Sequence, residues 1–432
     1  MNSSKQILRL AVPSILANIT IPFVGIVDTA IAGHIADAAA IGGIAIGTML
    51  FDLLYWNFGF LRVSTAGMTA QAYGRRSDTS SLLCQSLTIA ICGTLLIWIL
   101  QYPFIKAALA IIPCSEPVAH FAEQYFYIRV WAAPATLSLM AIKGWFIGMQ
   151  NTVKPMIMDL VVNLVNMAAS YLLAVMTPLG ALGVAWGTLI AQYTGLITAV
   201  CLIIHSHRLN LDSIFRKGTR FFNTELLTLN ANIFVRSLCM MIVYVGFTSL
   251  ASRYGDIELA VSSIMMKMFL LFSYFIDGFA YAGEALTGKY IGQRKPKELM
   301  QSVKALFFWT VGIGLVSTFI YGLFAEQSIS LMTNDQTIIS AARPYHIWLL
   351  LMPLISCLAF MWDGIFIGAT RGAELRNCMI YSALSFVLTY ALAQSMLGIN
   401  ALYLAYFMHL AVRTVYLSIR WISLRKQIIT NE

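Results

Sequence analysis

Twelve long apolar stretches, separated by short polar links, are the feature that most constrains this chain of 432 residues. Each is long enough for a helix to cross the hydrocarbon core of a bilayer, which takes about 20 apolar residues. Charged residues make up 11% of the sequence, too few to cover a water-soluble fold. The sequence therefore predicts an all-α integral membrane protein, with spans at residues 7–33, 39–73, 81–110, 118–149, 155–177, 180–204, 227–253, 258–291, 299–324, 338–369, 377–396 and 399–422.

Lysine and arginine residues are distributed unevenly among the links. The links on one side of the predicted bundle carry most of them, including Arg75, Arg76, Arg294 and Lys295, whereas the other side has few. By the positive-inside rule we expect both termini in the cytoplasm, in a multi-pass protein of the cytoplasmic (inner) membrane. The net charge of +9 is then explained by topology and by contact with anionic membrane lipid, so no nucleic-acid partner is expected.

The two halves of the sequence resemble each other. Gly67–Arg76 (GMTAQAYGRR) aligns with Ala285–Arg294 (ALTGKYIGQR) at an offset of 218. Gly144–Gly148 (GWFIG) aligns with Gly364–Gly368 (GIFIG) at an offset of 220. Since each half has an even number of spans, both copies enter the membrane from the same side, as parallel repeats related by an axis along the membrane normal.

This repeat predicts two lobes of six helices each. We expect an amino-terminal lobe at 1–204, a cytoplasmic linker at 205–226 and a carboxy-terminal lobe at 227–432. In transporters built from such repeats, substrate binds between the repeats. The alternative is chance similarity between apolar helices, which two motifs at nearly the same offset make the weaker interpretation.

Asp28 lies deep in the first span, after Pro13 and Pro22. A carboxylate at that depth costs about 2.5–3.5 kcal/mol, so it must face protein or water, and intramembrane ionisable groups are functional by default. We expect Asp28 to take up and release a proton. The alternative is a structural carboxyl that pairs with a buried arginine such as Arg62. The two prolines are candidate hinges or simple packing kinks.

A second polar set lies in the fourth to sixth spans. Asn163, Asn166 and Ser170 are three and four residues apart, which places them on one face of a helix. With Asp28, such a stripe could solvate a titrating carboxyl or supply oxygen ligands to a sodium ion, although polar contacts between helices are an equally good explanation for any single member. The set also includes Tyr125, Asp159 and Thr188.

The second half has its own intramembrane charges. Asp277 and Glu284 are seven residues apart on one face of the eighth span. We predict that they are supporting groups held by Arg236 or Lys267, since ion pairing offsets much of the cost of burying them. The candidate substrate-cavity or supporting residues of this half are Arg236, Lys267, Asp277, Glu284 and Asp363.

Motifs of soluble catalysis are missing from the sequence. It contains no GxxxxGK[ST] phosphate-binding loop, no HExxH and no GxSxG. We therefore expect neither an enzyme nor a bound cofactor, and any work on a solute must draw on a proton or sodium gradient.

Several runs resemble the DinF-like branch of the multidrug and toxic compound extrusion (MATE) family. They are Leu54–Arg62 (LYWNFGFLR), Thr69–Gly74 (TAQAYG), Asn232–Arg236 (NIFVR), Ser273–Glu284 (SYFIDGFAYAGE) and Asp363–Thr370 (DGIFIGAT) with Arg376 and Asn377. The resemblance covers essentially the whole chain and implies a cation-coupled exporter of two six-helix lobes that works by alternating access.

The resemblance also assigns roles to residues. The family's acidic residue of the first helix falls on Asp28 and its proline on Pro13, and the cation site extends to Asn166, Thr188 and Tyr125. Many relatives have an aspartate four residues after the asparagine, where this chain has Ser170. A sodium site near Asp28 and Asn166 would lose one of its two charges, so proton coupling is the better expectation.

We expect a monomeric, proton-coupled antiporter that exports amphipathic, cationic drugs or toxic compounds. The alternatives are a sodium-coupled version of the same transporter and a lipid-linked precursor flippase of related architecture. Such a flippase tends to have a basic cavity for pyrophosphate, whereas the first half of this chain offers Asp28 and neutral amides. A scaffold without transport activity is disfavoured by the number of intramembrane charges.

Overall fold

The computed structural model describes residues 3–35, 38–206 and 224–430, which form helices joined by short turns, with no strand among them. Long apolar segments become helices because the lipid interior offers no hydrogen-bond partner to the backbone. The helices are α1 (Ser3–Ile35), α2 (Ala38–Phe58), α3 (Phe60–Gly74), α4 (Ser80–Ile111), α5 (Glu116–Arg129), α6 (Ala133–Gly148), α7 (Val153–Met176), α8 (Gly183–His205), α9 (Thr224–Ala251), α10 (Asp256–Gly292), α11 (Pro296–Leu323), α12 (Ala325–Ser330), α13 (Gln336–Ala342), α14 (His346–Gly368), α15 (Gly372–Leu397) and α16 (Asn400–Thr430).

The described residues contain twelve segments that are long and apolar enough to cross a membrane, as predicted. Three of the predicted spans are divided into shorter helices: α2 with α3, α5 with α6, and α13 with α14. The third span, predicted at 81–110, is α4 at Ser80–Ile111. The largest difference between a predicted and an observed boundary is at the end of the last helix. The span was predicted to end at residue 422, but the helix continues to Thr430 because its charged final turns remain helical beyond the apolar part.

The chain forms two compact units, and the first helix contributes to both. The amino-terminal unit is Leu16–Leu227. The carboxy-terminal unit combines the chain from Thr228 onward with the part of α1 up to Ile15. The first unit thus begins inside α1, between Pro13 and Pro22, rather than at the first residue. Most of the predicted linker, residues 207–223, lies outside the described residues.

Both units repeat the same backbone turns. Two helices in each unit end in a Schellman turn, in which the second residue after the helix has a positive φ and the N–H of the following residue donates to a carbonyl five residues earlier. In one unit these hydrogen bonds join Ser77 N–H to the Ala72 carbonyl and Asn151 N–H to the Phe146 carbonyl. In the other they join Lys295 N–H to the Tyr290 carbonyl and Arg371 N–H to the Phe366 carbonyl. Positive φ angles occur at Arg76, Gln150 and Gly180, and again at Arg294, Thr370 and Gly398, with offsets of 218 to 220. The internal repeat seen in the sequence is therefore also a repeat of the backbone.

The glycine pairs of the repeat let two helices approach closely in each unit. In α6, a Cβ atom at Gly144 or Gly148 would collide with the α3 backbone at Arg62 or Ala66. In α14, a Cβ atom at the equivalent glycines would collide with the α10 backbone; these are Gly364 against Ala280 and Gly368 against Glu284. The hydrophobic effect does little to hold helices together in lipid, so small residues at such crossings stabilise the contact by allowing close van der Waals packing.

Candidate functional site

In the amino-terminal unit, α1 carries Asp28 beside a hydrophobic cluster. The flanking residues Val27 and Ile31 pack with Tyr125 of α5 and Val184 of α8. The Asp28 carboxyl lies next to the Ser170 hydroxyl of α7. Its Oδ1 atom is buried and makes no hydrogen bond of normal geometry, and in the described part of the chain the carboxyl forms no ion pair within 4.0 Å. Asp28 is therefore a carboxyl without a fixed cationic partner.

The predicted polar stripe on α7 makes contacts with two other helices. Asn163 donates from Nδ2 to Thr20 Oγ1 of α1 at 2.6 Å. Asn166 is buried and donates from Nδ2 to Thr188 Oγ1 of α8 at 2.9 Å. The structure thus brings Asn163, Asn166 and Ser170 onto the face of α7 that meets α1 and α8, as the spacing of three and four predicts.

Ser170 lies at the tightest point of this cluster. A Cβ atom at Gly187 of α8 would lie 2.5 Å from both the backbone nitrogen and the Oγ atom of Ser170. The side chain of Ser170 is fully buried. The glycine explains why α7 and α8 are so close here, and it leaves little room for a larger residue at position 170.

Tyr125 and Arg129 form a second polar group in the same unit. Tyr125 is buried, and its hydroxyl accepts a hydrogen bond from Arg129 at 3.2 Å. Gly47 of α2 makes room for the tyrosine ring, since a Cβ atom there would collide with it. The Arg129 guanidinium also lies over the Phe51 ring, with Cζ 5.0 Å from its centroid. Among the described residues Arg129 forms no ion pair, but its charge acts on Asp28 and on Asp52.

Acceptor oxygens are left unpaired at Asp28 and along the polar face of α7. Three buried oxygens have no hydrogen-bond partner: Asp28 Oδ1, Asn166 Oδ1 and Ser170 Oγ. A sodium ion prefers oxygen ligands of these kinds, and a proton on Asp28 would give one of them a donor. Only one of the three groups is a carboxylate, and Arg129 already acts on it.

Asp159, predicted as a member of the polar set, has another partner. It forms an ion pair with Lys143 of α6, and both side chains are about one quarter exposed. Exposed or half-exposed pairs contribute about 0–1 kcal/mol. Asp159 thus belongs to a contact between α6 and α7.

The carboxy-terminal unit contains a buried charge cluster that differs from the prediction. Arg236 of α9 forms its ion pair with Asp363 of α14 at 2.5 Å, and not with Asp277 or Glu284. Lys267 is exposed and forms no ion pair among the described residues. The predicted pairing of Asp277 and Glu284 with Arg236 or Lys267 is therefore wrong, because Asp363 lies closer to Arg236 and because Lys267 points away from the packed side of α10.

Sequence reasoning missed the second partner of Asp363. Arg413 of α16 donates to the same carboxylate oxygen, Oδ2, at 2.5 Å, and it is 2% exposed. Its signal in the sequence is a basic residue in the middle of an apolar helix, YFMHLAVRTVYL. Arg129 was likewise not among the predicted site residues, although it too is a charge inside an apolar run.

Comparison with known proteins links this architecture to one family. The MatE family model matches residues 13–172 and 233–395, once in each half. The chain is 34% identical over 424 residues to the DNA damage-inducible protein F of Escherichia coli strain K12, covering 97% of this chain and 92% of that protein. It is 21% identical to a probable multidrug resistance protein NorM of Bacillus cereus, covering 88% and 85%.

A solved structure shows the same fold. The crystal structure of MATE in complex with MaD3S superposes with a TM-score of 0.88, at 19% sequence identity, and covers 99% of this chain and 98% of that chain.

Proposed function

The chain belongs to the MATE family of efflux transporters, in its DinF-like branch, and from that premise we propose that it exchanges protons for amphipathic, cationic compounds across the cytoplasmic membrane. Family membership establishes a multi-pass transporter of toxic compounds. The coupling ion, the substrate class and the cytoplasmic location of both termini are the proposed parts.

The observation that carries the proposal is the state of Asp28. A carboxyl inside a membrane-spanning helix, with one buried oxygen unbonded and with no ion pair among the described residues, can change its charge without breaking a salt bridge. The neutral hydroxyl of Ser170 lies next to it, and four residues before Ser170 on α7 Asn166 bonds Thr188. Such groups can hydrogen-bond to both the ionised and the protonated carboxyl.

Two features favour a proton over sodium. Ser170 supplies a hydroxyl where a second carboxylate would strengthen a sodium site. Arg129 places a positive charge within electrostatic reach of Asp28, and this charge opposes a bound metal cation. A proton forms a covalent bond to the carboxyl, so the nearby guanidinium does not prevent its binding at low pH.

Exchange then follows from competition for one negative charge. Ionised Asp28 attracts a cationic substrate, and protonation on the acidic side of the membrane removes that attraction and releases the substrate. Loss of the charge also changes the hydrogen bonding between α1 and α7. Since α1 contains Pro13 and Pro22, each of which removes a backbone hydrogen bond, this helix can bend at low cost when Asp28 titrates.

Transport in proteoliposomes tests the proposal. Purified protein is reconstituted, a proton gradient or a sodium gradient is imposed separately, and movement of tetraphenylphosphonium is followed. We expect accumulation against its gradient with protons alone. Equal accumulation with sodium alone would favour the sodium-coupled alternative, and translocation of a lipid-linked pyrophosphate without tetraphenylphosphonium transport would favour the flippase.

A further inference from the structure

The carboxy-terminal unit contains more buried positive than negative charge around Asp363. Arg236 and Arg413 both donate to Asp363 Oδ2 at 2.5 Å. The side chains are 11%, 2% and 7% exposed for Arg236, Arg413 and Asp363, respectively. In the described part of the chain neither guanidinium has a second carboxylate within 4.0 Å. Two guanidinium groups and one carboxylate leave one positive charge in this cluster.

Buried donors in this cluster also lack acceptors. The Nε atoms of Arg236 and Arg413 are both buried without a hydrogen-bond partner. The great majority of buried polar atoms in proteins are paired, and an unpaired one points to an ion or water that completes the site. An unpaired buried charge costs far more than an unpaired neutral group. Asp363 Oδ1 is also buried without a hydrogen-bond partner, so it is the two unpaired guanidinium donors, and not the carboxylate, that indicate a missing negative group.

Nearby side chains do not supply it. The Phe360 ring lies 5.3 Å from the Arg413 guanidinium and offers only a weak cation–π contact. His409, one helical turn before Arg413, is buried, and its Nδ1 atom has no hydrogen-bond partner in the described part of the chain. The Cys378 thiol donates to the Arg413 backbone carbonyl at 3.7 Å. The phenyl ring, the imidazole and the protonated thiol carry no negative charge.

We propose that the Arg236–Asp363–Arg413 cluster is a binding site for a small monovalent anion, chloride in the cell, held by the arginine donors that Asp363 does not use. A monovalent ion brings the cluster to neutrality. The burial of Arg413 and Asp363 favours an ion without bulky substituents. The site lies wholly within the carboxy-terminal unit and does not depend on which cation drives export.

Anion-dependent thermal stability tests this site. The melting temperature of purified protein is measured in sodium gluconate and after exchange into sodium chloride, bromide or sulfate at equal ionic strength. A ligand that binds only the folded state raises the melting temperature. We expect a rise of about 2–4 °C with chloride and bromide. An equal melting temperature in chloride and gluconate would overturn the proposal, and so would a larger rise with sulfate than with chloride.

Variants that change the charge of the cluster make the test specific. Arg413→Gln leaves a neutral Arg236–Asp363 pair and should abolish the chloride effect. Asp363→Asn adds one positive charge and should enlarge it. Arg420→Gln is the matched control, since Arg420 lies on the same helix and is exposed, and it should keep the wild-type response. A chloride effect that is the same in all three variants would place anion binding elsewhere and overturn the assignment.

Arg413→Gln could fold poorly because the residue is buried. Arg236→Gln, at the more exposed arginine, gives the same change in charge and the same expected loss of the chloride effect. Broadening of the ³⁵Cl resonance by wild-type protein, which disappears in Arg236→Gln, is a second readout that does not depend on melting. Unchanged broadening in that variant would also contradict the proposal.

Discussion

Asp28 of the amino-terminal unit and Asp363 of the carboxy-terminal unit are both carboxylates inside membrane-spanning helices, but their surroundings differ. Asp28 has a buried oxygen without a hydrogen bond and forms no ion pair among the described residues. Asp363 is held by two guanidinium groups through one oxygen. A carboxylate between two arginines stays ionised, whereas one that lies beside a serine hydroxyl and forms no ion pair among the described residues is free to gain and lose a proton. The comparison separates a group suited to coupling from a group suited to structure.

The repeat shows that the fold itself does not determine these charges. At the offset of 220 that relates α6 to α14, Asp363 corresponds to Lys143, so an acid in one unit replaces a base in the other. At the offset of 218 that relates the last helices of the units, Arg413 corresponds to Gly195, where a Cβ atom would collide with Val162. The units keep the same backbone turns while their polar centres have diverged.

The largest expected effect is that of Asp28→Asn. The substitution keeps the shape of the side chain and removes its titration, so proton-driven export of tetraphenylphosphonium should fall to the level of empty liposomes. Melting temperature should stay close to that of the wild type, because no ion pair is lost among the described residues. Transport and melting are both measured on the same preparation.

Asp52→Asn is the matched control for that experiment. Asp52 also feels the charge of Arg129, but its side chain is exposed on α2. We expect it to retain proton-driven export. If the Asp28→Asn variant still concentrated substrate against its gradient, Asp28 would not be the coupling group and the contrast between the units would lose its functional meaning.

Asp363→Asn should affect the other unit in the opposite way. Removing one partner of a buried ion pair costs about 3–5 kcal/mol, because it leaves buried charge uncompensated. We therefore expect a large loss of stability, seen as a lower melting temperature, and proton coupling that persists in the protein that remains folded.

A double variant distinguishes charge from shape at this site. Asp363→Asn combined with Arg413→Gln lowers the excess charge again and should recover part of the stability lost by Asp363→Asn alone. Normal stability of the single variant, together with abolished export, would instead make Asp363 a second coupling group.

The architecture could be predicted from the sequence because its signals are long-range and redundant. Apolar length predicts each span, and the GWFIG and GIFIG motifs predict the repeat, since only glycine permits the close crossings at Gly144 and Gly364. The division of α1 between the two units could not be predicted. Hydropathy is continuous from Ile7 to Gly33 and carries no information on which unit each turn packs against.

The candidate site was predictable only where its members share a helix. Helical spacing placed Asn163, Asn166 and Ser170 on one face of α7. Partners on different helices were not predictable in this way: Arg236 pairs with Asp363, 127 residues later, instead of with a carboxylate of α10. Pairing between helices depends on rotation and depth of each helix, which a single sequence does not report.

Ser170→Asp sharpens the comparison by adding charge to the amino-terminal unit. A second carboxylate beside Asp28 and Asn166 should bind sodium more tightly. The melting temperature should therefore be higher in sodium chloride than in choline chloride, by a larger margin than in the wild type. Since like charges this close cannot both ionise easily, one carboxyl could retain a proton instead, and then sodium would have no effect. The melting temperature in the two salts decides between these outcomes.

Ser170→Asn is the control for size. Gly187 packs against Ser170, so a larger side chain there costs about 1–3 kcal/mol whether or not it is charged. The sodium response should appear in the Asp variant and be absent from the Asn variant. An equally strong sodium response in the wild type would contradict the preference for protons.

The smallest expected effect concerns Thr20, which links α1 to α7. Thr20→Val keeps the shape of the side chain but removes the oxygen that accepts from Asn163 at 2.6 Å. Hydrogen bonds between membrane helices contribute about 0.6 kcal/mol on average, so the melting temperature should fall only slightly. Thr194→Val is the control, because the Thr194 hydroxyl donates to the Ile190 carbonyl of its own helix.

A small cost at Thr20 is what the proposed cycle requires. If α1 is to rearrange whenever Asp28 gains or loses its proton, the contacts that hold it against α7 must be weak enough for one charge to overcome. Thr20→Val should then shift the pH at which tetraphenylphosphonium is released while leaving maximal export nearly intact. A loss of stability near that of Asp363→Asn would mean that α1 is locked to α7, and proton-driven bending of this helix would have to be abandoned.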